Sequence, residues 1–269
     1  MNDPVVVGVK SAYERAPASW GSGPARIYRA LAAALVAASP IDLAHLLVLD
    51  LGAGTGVASH ALADAGARAV GADLAEAMMR FDQRTRPPGV VADARVLPFR
   101  TASFDGVVAA FSVNHVPRPD RALAEAARVT TPGGVLLAST FPSVRQHPAR
   151  PLVEQVLADA GYVRPAWFSN FKEELEPALG TPEAFIETAR SAGVVDISVR
   201  DLDVETGVDD AADIVDWRLG MAQYVEFVAS LDPDSYAKVR RAAVAAVSAH
   251  PIPVVPALFL TARVPHVVN

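Results

Sequence analysis

Residues 48–56 read VLDLGAGTG, an apolar run that ends in an acid and then places Gly52, Gly54 and Gly56 at every second position. A strand that runs into glycines and then into a helix sets the helix N-terminus at the carboxyl edge of a sheet, where open α/β folds bind ligands. Glycines there let the backbone take φ > 0 and approach a ligand closely. The spacing departs from the pyrophosphate-binding turn, which reads G-x-G-x-x-G/A. Here the third glycine comes one residue early, and the position three after Gly54 is Val57. Asp50 would repel a bare pyrophosphate and suits a ligand with positive charge.

The same beat of apolar run and helix continues downstream. GVASHALADAG has helical spacing and a glycine stop at Gly66, and ARAVGADL reads as a second buried strand ending at Asp73. AEAMMRFDQR is a helix, GVVADA a third strand ending near Asp93, and SFDGVVAAFSV a fourth. RPDRALAEAARVT is a helix stopped by Pro132, Gly133 and Gly134, and GVLLASTF is a fifth strand. Strands that are near-continuous apolar runs signal a parallel sheet buried on both faces. Upstream, residues 11–39 look helical, with a break at 20–24. After Phe141 a helix mixes with a Pro- and aromatic-containing loop, and TPEAFIETARSAG then opens a helix with Thr181 as N-cap and Pro182 in the first turn. VVDISVRDLDVET reads as a long strand, residues 209–250 as two or more helices, and ALFLTARVP as a final strand.

Composition narrows the partners. A chain of 269 residues, 51% hydrophobic, can bury the core of one large α/β domain with a cap. It has no cysteine, so disulfides and thiolate metal sites are excluded, which fits a cytoplasmic protein. The N-terminus shows no signal peptide. The most apolar run, LAAALVAAS from Leu31, falls far short of the ~20 residues of a membrane span. The net charge is −6, lysine is limited to Lys10, Lys172 and Lys238, and the arginines are scattered. Nucleic-acid binders concentrate their cations on one face, so neither nucleic acid nor membrane is expected. The expected partner is a small molecule, with the chain a monomer or homodimer. No His and acid pair has metal-ligand spacing, and no metal is expected.

VLDLGAGTG resembles the first motif of the class I S-adenosylmethionine-dependent methyltransferases. GADLAEAMM is similar to the family's second motif, VVADARVLPFRTASFDGVVAAF to its third and fourth, and HVPRPDRALAEAARVTTPGGVLLAS to the stretch that closes with a Pro-Gly-Gly turn. Four motifs in order span residues 46–141. The resemblance implies a Rossmann-like, seven-stranded, mostly parallel α/β sheet with helices on both faces and an antiparallel last strand. A helical cap would come from the N-terminus and from C-terminal insertions. It divides the chain into an N-terminal cap segment (1–40), an S-adenosylmethionine-binding core (41–145), a linking segment with a helix and the sixth strand (146–208), a helical cap insertion (209–250) and the last core strand (251–269).

The cofactor implied is S-adenosyl-L-methionine. Its cationic end would face Asp50, the glycine backbone of Gly52 and Gly54 would allow close approach, and Asp73, 23 residues beyond Asp50, would take the ribose hydroxyls. Asp93 would meet the adenine amino group, and Ala53, Leu74, Met78, Ala94 and Phe111 complete the expected contacts. Phe99 reads as core. His115, just after the fourth strand, is either a general base or a packing residue. Tyr13 would close over the donor and is the second catalytic candidate. Trp20, His147 and Trp167 are candidate substrate contacts. So are Trp217, Met221 and Tyr224, which share a helical face with Val228 as either a substrate wall or cap packing. His45, His60, His250 and His266 carry no motif. The expected reaction is methyl transfer to a small apolar or aromatic acceptor, at C, N or O, in specialised metabolism. Three alternatives remain at this point: an enzyme that keeps the donor but cyclises or rearranges its substrate, a non-catalytic donor-binding module, and a nicotinamide oxidoreductase.

Overall fold

The computed structural model describes residues 3–249 and 254–266. His250 lies outside them. Three helices come first: α1 (Pro4–Glu14), α2 (Pro17–Ser22) and α3 (Pro24–Ala37). Each starts at a proline, whose fixed φ and missing N–H suit the first turn, and Asp3 caps α1 by accepting from the Val5 N–H. The helical reading of 11–39 holds in part: the helices begin earlier, at Pro4, and the interruptions fall at 15–16 and Gly23 rather than across 20–24, since Trp20 lies inside α2.

The sheet then alternates with helices: β1 (Leu47–Leu51), α4 (Val57–Asp64), β2 (Arg68–Asp73), α5 (Glu76–Arg80), β3 (Gly89–Val91), β4 (Phe104–Ala110), α6 (Pro119–Val129) and β5 (Thr130–Thr140). Next come α7 (Ala149–Asp159), α8 (Ala166–Asn170), a π turn at Phe171–Leu175, α9 (Glu176–Leu179), α10 (Pro182–Ser191) and β6 (Val195–Val204). The chain closes with α11 (Ala211–Leu219), α12 (Val225–Ser230), α13 (Pro233–Ser248) and β7 (Val255–Arg263). The strand order is β3-β2-β1-β4-β5-β7-β6, with β7 antiparallel to both neighbours and the other pairs parallel. The expected Rossmann-like sheet is present, and the strand order reverses between β1 and β4. That switch point opens a crevice at the carboxyl ends of the two strands.

Both sheet faces are covered, which is why the central strands are apolar at nearly every position. Val48, Val108 and Leu137 pack toward α3, α4, α7, α11 and α13, while Leu49, Val107 and Leu136 pack toward α6 and α10. A smaller cluster ties α1 to the α8–π segment through Val5, Val9, Phe168, Phe171 and Leu175. Among the described residues no helix is long and apolar enough to cross a membrane.

Three readings need correction. Pro132, Gly133 and Gly134 do not stop the helix, which already ends at Val129, but lie inside β5, where Gly133 and Gly134 pair with Val264. The segment after Phe141, read as one helix and a loop, holds α7, α8, the π turn and α9. Trp217, Met221, Tyr224 and Val228 do not share one helix. α11 stops at Leu219, where Gly220 lies against Ser19 and Pro24, and residues 221–224 form a tight turn closed by Tyr224 N–H donating to Met221 C=O (2.9 Å).

Candidate functional site

The glycine turn answers to two different neighbours. A Cβ on Gly52 would run into Ser112, whose hydroxyl donates to the Leu51 carbonyl (2.6 Å) and holds the β4 loop across the turn. A Cβ on Gly54 would meet only Met78 Cε at 3.5 Å and the Gly52 carbonyl at 3.9 Å, so this face of the turn is open. Both residues have left-handed φ, +72° and +52°, a conformation that suits glycine. Gly54 N–H donates to Asp73 Oδ2 (2.8 Å) and Ala75 N–H to Asp73 Oδ1 (2.8 Å). The end of β2 is thereby stitched to the turn.

Above this edge lies a cavity of about 1000 Å³, its open mouth included. Gly52, Ala53 and Gly54 form its floor, and Asp73, Leu74 and Met78 one wall. Asp93 and Ala94 stand beyond them, Phe111 closes the β4 side, and Val6, Val9, Lys10 and Tyr13 of α1 form the roof. Glu14 fastens that roof by accepting from the Glu76 and Ala77 N–H groups (2.8 and 2.9 Å). Sequence reasoning missed Lys10, Thr55, Arg95 and Ser112, and gave Tyr28 no role, although all five line the cavity.

Asp50 is the exception among the expected donor contacts. It is fully buried but does not line the cavity. Strand alternation turns it beneath the turn, where Oδ2 accepts from Ser59 Oγ of α4 (2.5 Å) and Oδ1 has no partner. Burial pushes its carboxyl up to about 6, against the opposing pull of the Ser59 hydrogen bond and Arg86. Asp93 does line the cavity, yet Arg95 grips it with Nε on Oδ1 (3.0 Å) and Nη2 on Oδ2 (2.7 Å), which holds its carboxyl below the usual range. Adenine would share that carboxylate with Arg95. Phe111 holds a left-handed φ of +54°, kept by its N–H donating to both oxygens of Ser139, the kind of stored strain found at functional sites.

The far end of the cavity is aromatic. His115 stacks on Phe171 (4.7 Å between centroids) and meets Tyr13 edge-on, with Tyr13 Oη 3.4 Å from Nε2; Nδ1 is buried without a partner. Burial lowers the imidazole to about 4, so it is neutral at pH 7. Burial, Tyr28 and Asp73 together raise the Tyr13 phenol, which therefore stays protonated. Trp20 lies 5.7 Å from Tyr13 and 4.9 Å from Tyr28.

The structure thus brings His115, Tyr13 and Trp20 together and leaves the other candidate substrate contacts out of the lining. Trp167 packs against Gly8 on α1. Trp217, Met221 and Tyr224 are buried in the main core, and His147 meets Trp217 edge-on at 5.4 Å.

The residues present fit an adenosyl sulfonium cofactor. Gly54 leaves an open cradle, the buried Thr55 hydroxyl at the cavity has no partner, and each Asp73 oxygen keeps a free lone pair for a ribose hydroxyl. Fold, turn and acids together define a class I S-adenosylmethionine-dependent methyltransferase domain. Residues 49–138 match the family described as Methyltransferase domain, and the chain carries that domain, whose cofactor is S-adenosyl-L-methionine. Among similar proteins, a demethylmenaquinone methyltransferase of Renibacterium salmoninarum is 40% identical over 115 residues, covering 42% of this chain and 48% of the relative. The chain spans about half the length of the curated relatives it matches. Among solved structures, the Haemonchus contortus phosphoethanolamine N-methyltransferase 2 with bound S-adenosylhomocysteine superposes with a TM-score of 0.54 at 19% identity, over 88% of this chain and 52% of that one. The cyclase SpnF gives 0.50 at 20% identity, over 88% and 81%. At these identities the structures bear on fold alone.

Proposed function

We propose that this protein transfers a methyl group from S-adenosylmethionine to a small apolar or aromatic acceptor. The observation that carries the reading is one cavity whose floor is the Gly52–Gly54 turn with Asp73 and whose far end is His115, Tyr13 and Trp20. When bound, the cofactor supplies an electrophilic methyl group on a sulfonium. The protein's own share is placement in a water-poor site. Tyr13 and Trp20 present aromatic faces, which favour a cation nearby.

His115 is the candidate base. In the tautomer that donates from Nε2 to the Tyr13 oxygen, the lone pair sits on the unpartnered Nδ1 and can take a proton. Burial keeps that lone pair free throughout the neutral range but makes it a weak base. It therefore suits an acceptor that is already acidic, such as a phenol or enol. The relatives named for demethylmenaquinone support a ring acceptor. The family match ends at residue 138, so the cap that shapes the acceptor end lies outside it. We place the acceptor in specialised metabolism and the protein in the cytoplasm on that basis and on the absence of cysteine.

Calorimetric titration with S-adenosylmethionine, S-adenosylhomocysteine and NADH tests the donor. Binding of the first two and not the third is expected, and NADH alone would overturn the reading. A second reading, in which the donor is held but not consumed, would use the same Gly52–Gly54 turn and Asp73. Release of S-adenosylhomocysteine in an acceptor screen separates the two.

A further inference from the structure

The third glycine of the motif has a partner that the donor site does not explain. Gly56, the left-handed residue ahead of α4 (φ +92°), would drive a Cβ against Arg86, 3.1 Å from Nε, 3.5 Å from Cγ and 3.6 Å from Cδ. The Arg86 side chain therefore lies across the end of the turn. Its Nη1 donates to the Met78 carbonyl in α5 (2.6 Å), and Nη2 sits 3.5 Å from Met79 Sδ. Nη2 also comes within 4.0 Å of a Cβ position on Gly71, inside β2. One side chain thus touches the turn ahead of α4, α5 and β2, the three segments that carry Gly54, Met78 and Asp73.

Its placement comes from the local chain. Arg86 precedes Pro87 and Pro88, and the residue before a proline is pressed into extended backbone. Arg86 has φ −106° and ψ 152°. Gly71 N–H donates to the Pro88 carbonyl (2.9 Å), which pins this loop to β2. Two prolines and a sheet bond leave the base of the side chain little freedom, so its fork arrives at a fixed place.

The helix it holds is too short to stand alone. α5 has five residues, Glu76–Arg80, too few to persist without outside contacts. Charged side chains of other segments take both its ends. Glu14 of α1 accepts from the Glu76 and Ala77 N–H groups, and Arg86 donates to the Met78 carbonyl. An acid at the N-terminus and a cation at the C-terminus both match the helix dipole. Met78 is in turn a wall of the cavity, its Cε 3.5 Å from where a Gly54 Cβ would stand.

The charge of Arg86 is placed as well as its bonds. Burial raises the carboxyls of Asp50 and Asp73, and the field of Arg86 joins their hydrogen bonds in pulling them back down. Glu14 acts on Asp73 in the opposite sense. Burial lowers Arg86 itself, and Asp50, Asp73 and Asp82 offset this. On its outer side Arg86 borders a surface cleft with Glu76, Arg80 and Gln83, so it is half-buried rather than sealed in.

Arg86 is not in the cavity lining. We infer that it is a positioning residue for the methyl donor, acting through the Gly56 end of the turn, the Met78 wall and the Asp73 strand end; this rests on the donor site described above.

The test is calorimetry of the full chain with S-adenosylhomocysteine between about pH 5 and 8, on the native protein, Arg86→Met, Arg86→Gln and Arg86→Lys. Affinity is expected to fall toward acid, because a protonated Asp73 gives up an acceptor site for the ribose hydroxyls. Arg86→Met should weaken binding about 10-fold at neutral pH and move this acid limb up by about one pH unit, since the acids lose a nearby cation. Arg86→Gln, which can still donate to the Met78 carbonyl but has no charge, should move the limb as far with a smaller loss at neutral pH. It decides the matter if the Met variant does not fold. Arg86→Lys keeps the charge without the fork, so the limb should stay in place while affinity falls a few-fold. Native affinity with a lowered Tm, or a loss in the uncharged variants that is equal at every pH, is what a merely structural residue gives, and either overturns the assignment. So does a limb that shifts as far in Arg86→Lys. Failure of the native protein to bind S-adenosylhomocysteine is a separate result and counts against the donor site itself.

Discussion

The two ends of this molecule's interior handle charge in opposite ways. At the donor end two acids meet the turn: Asp50 is fully buried beneath it on the Ser59 hydroxyl, and half-buried Asp73 on the wall is held by the Gly54 and Ala75 N–H groups. At the α11 corner the unpaired groups are all donors, Arg218 Nε, Trp217 Nε1 and His147 Nε2. The first pair lines or underlies the cavity, whereas the second set lies in the packed interior outside its lining.

The comparison breaks first at His115, which stands between the ends. His115→Ala should lower turnover on an accepted substrate by about 10²-fold while S-adenosylhomocysteine binds as before. A variant with near-normal turnover would reduce His115 to packing against Phe171. Next comes Asp73→Ala, which should weaken S-adenosylhomocysteine by about 1–3 kcal/mol, the worth of hydrogen bonds to a charged group. Asp50→Asn, one layer down, should cost less than that in calorimetry. The reverse ranking would mean that Asp50, not Asp73, makes the direct contact.

Acid sharpens the contrast. His115 and His147 are held at about 4 by burial, so their contribution to stability is complete above about pH 6.5 and is lost as pH falls toward 4. Asp50, raised to about 6, runs the other way. Its contribution is present in acid and lost as pH rises through about 6. Between pH 7 and 5 the two histidines should outweigh the acid, for a net loss of roughly 2 kcal/mol by denaturant titration. With both histidines changed to Gln, the sign should invert and the fold should be more stable at pH 5. The smallest expected effect is Glu14→Ala, which frees α1 from α5 at a cost of about 1 kcal/mol, as for a lost helix cap. S-adenosylhomocysteine affinity should fall only a few-fold.

The donor end was legible in the sequence because its parts are local. VLDLGAGTG, GADL and VVADA each end a strand of one sheet, and a parallel sheet delivers all its strand ends to the same edge. That is why Gly52, Gly54 and Asp73 could be put at one edge from spacing, with Asp93 added by the family resemblance. The misplacement of Asp50 came from the same source, since spacing gives the strand end but not which face of it a side chain takes. The acceptor end was only partly legible. Tyr13, Trp20, His147 and Trp217 stood out as aromatics and histidines, but nothing in one dimension separates a cavity wall from a packed core. Arg218 carried no signal, because an arginine in a helix is ordinary until its surroundings are known. The fold and its donor turn were thus written in short-range pattern. Which buried groups have partners was decided only when α2, α7 and α11, distant in the chain, packed together and left Trp217 Nε1, His147 Nε2 and Arg218 Nε buried without one.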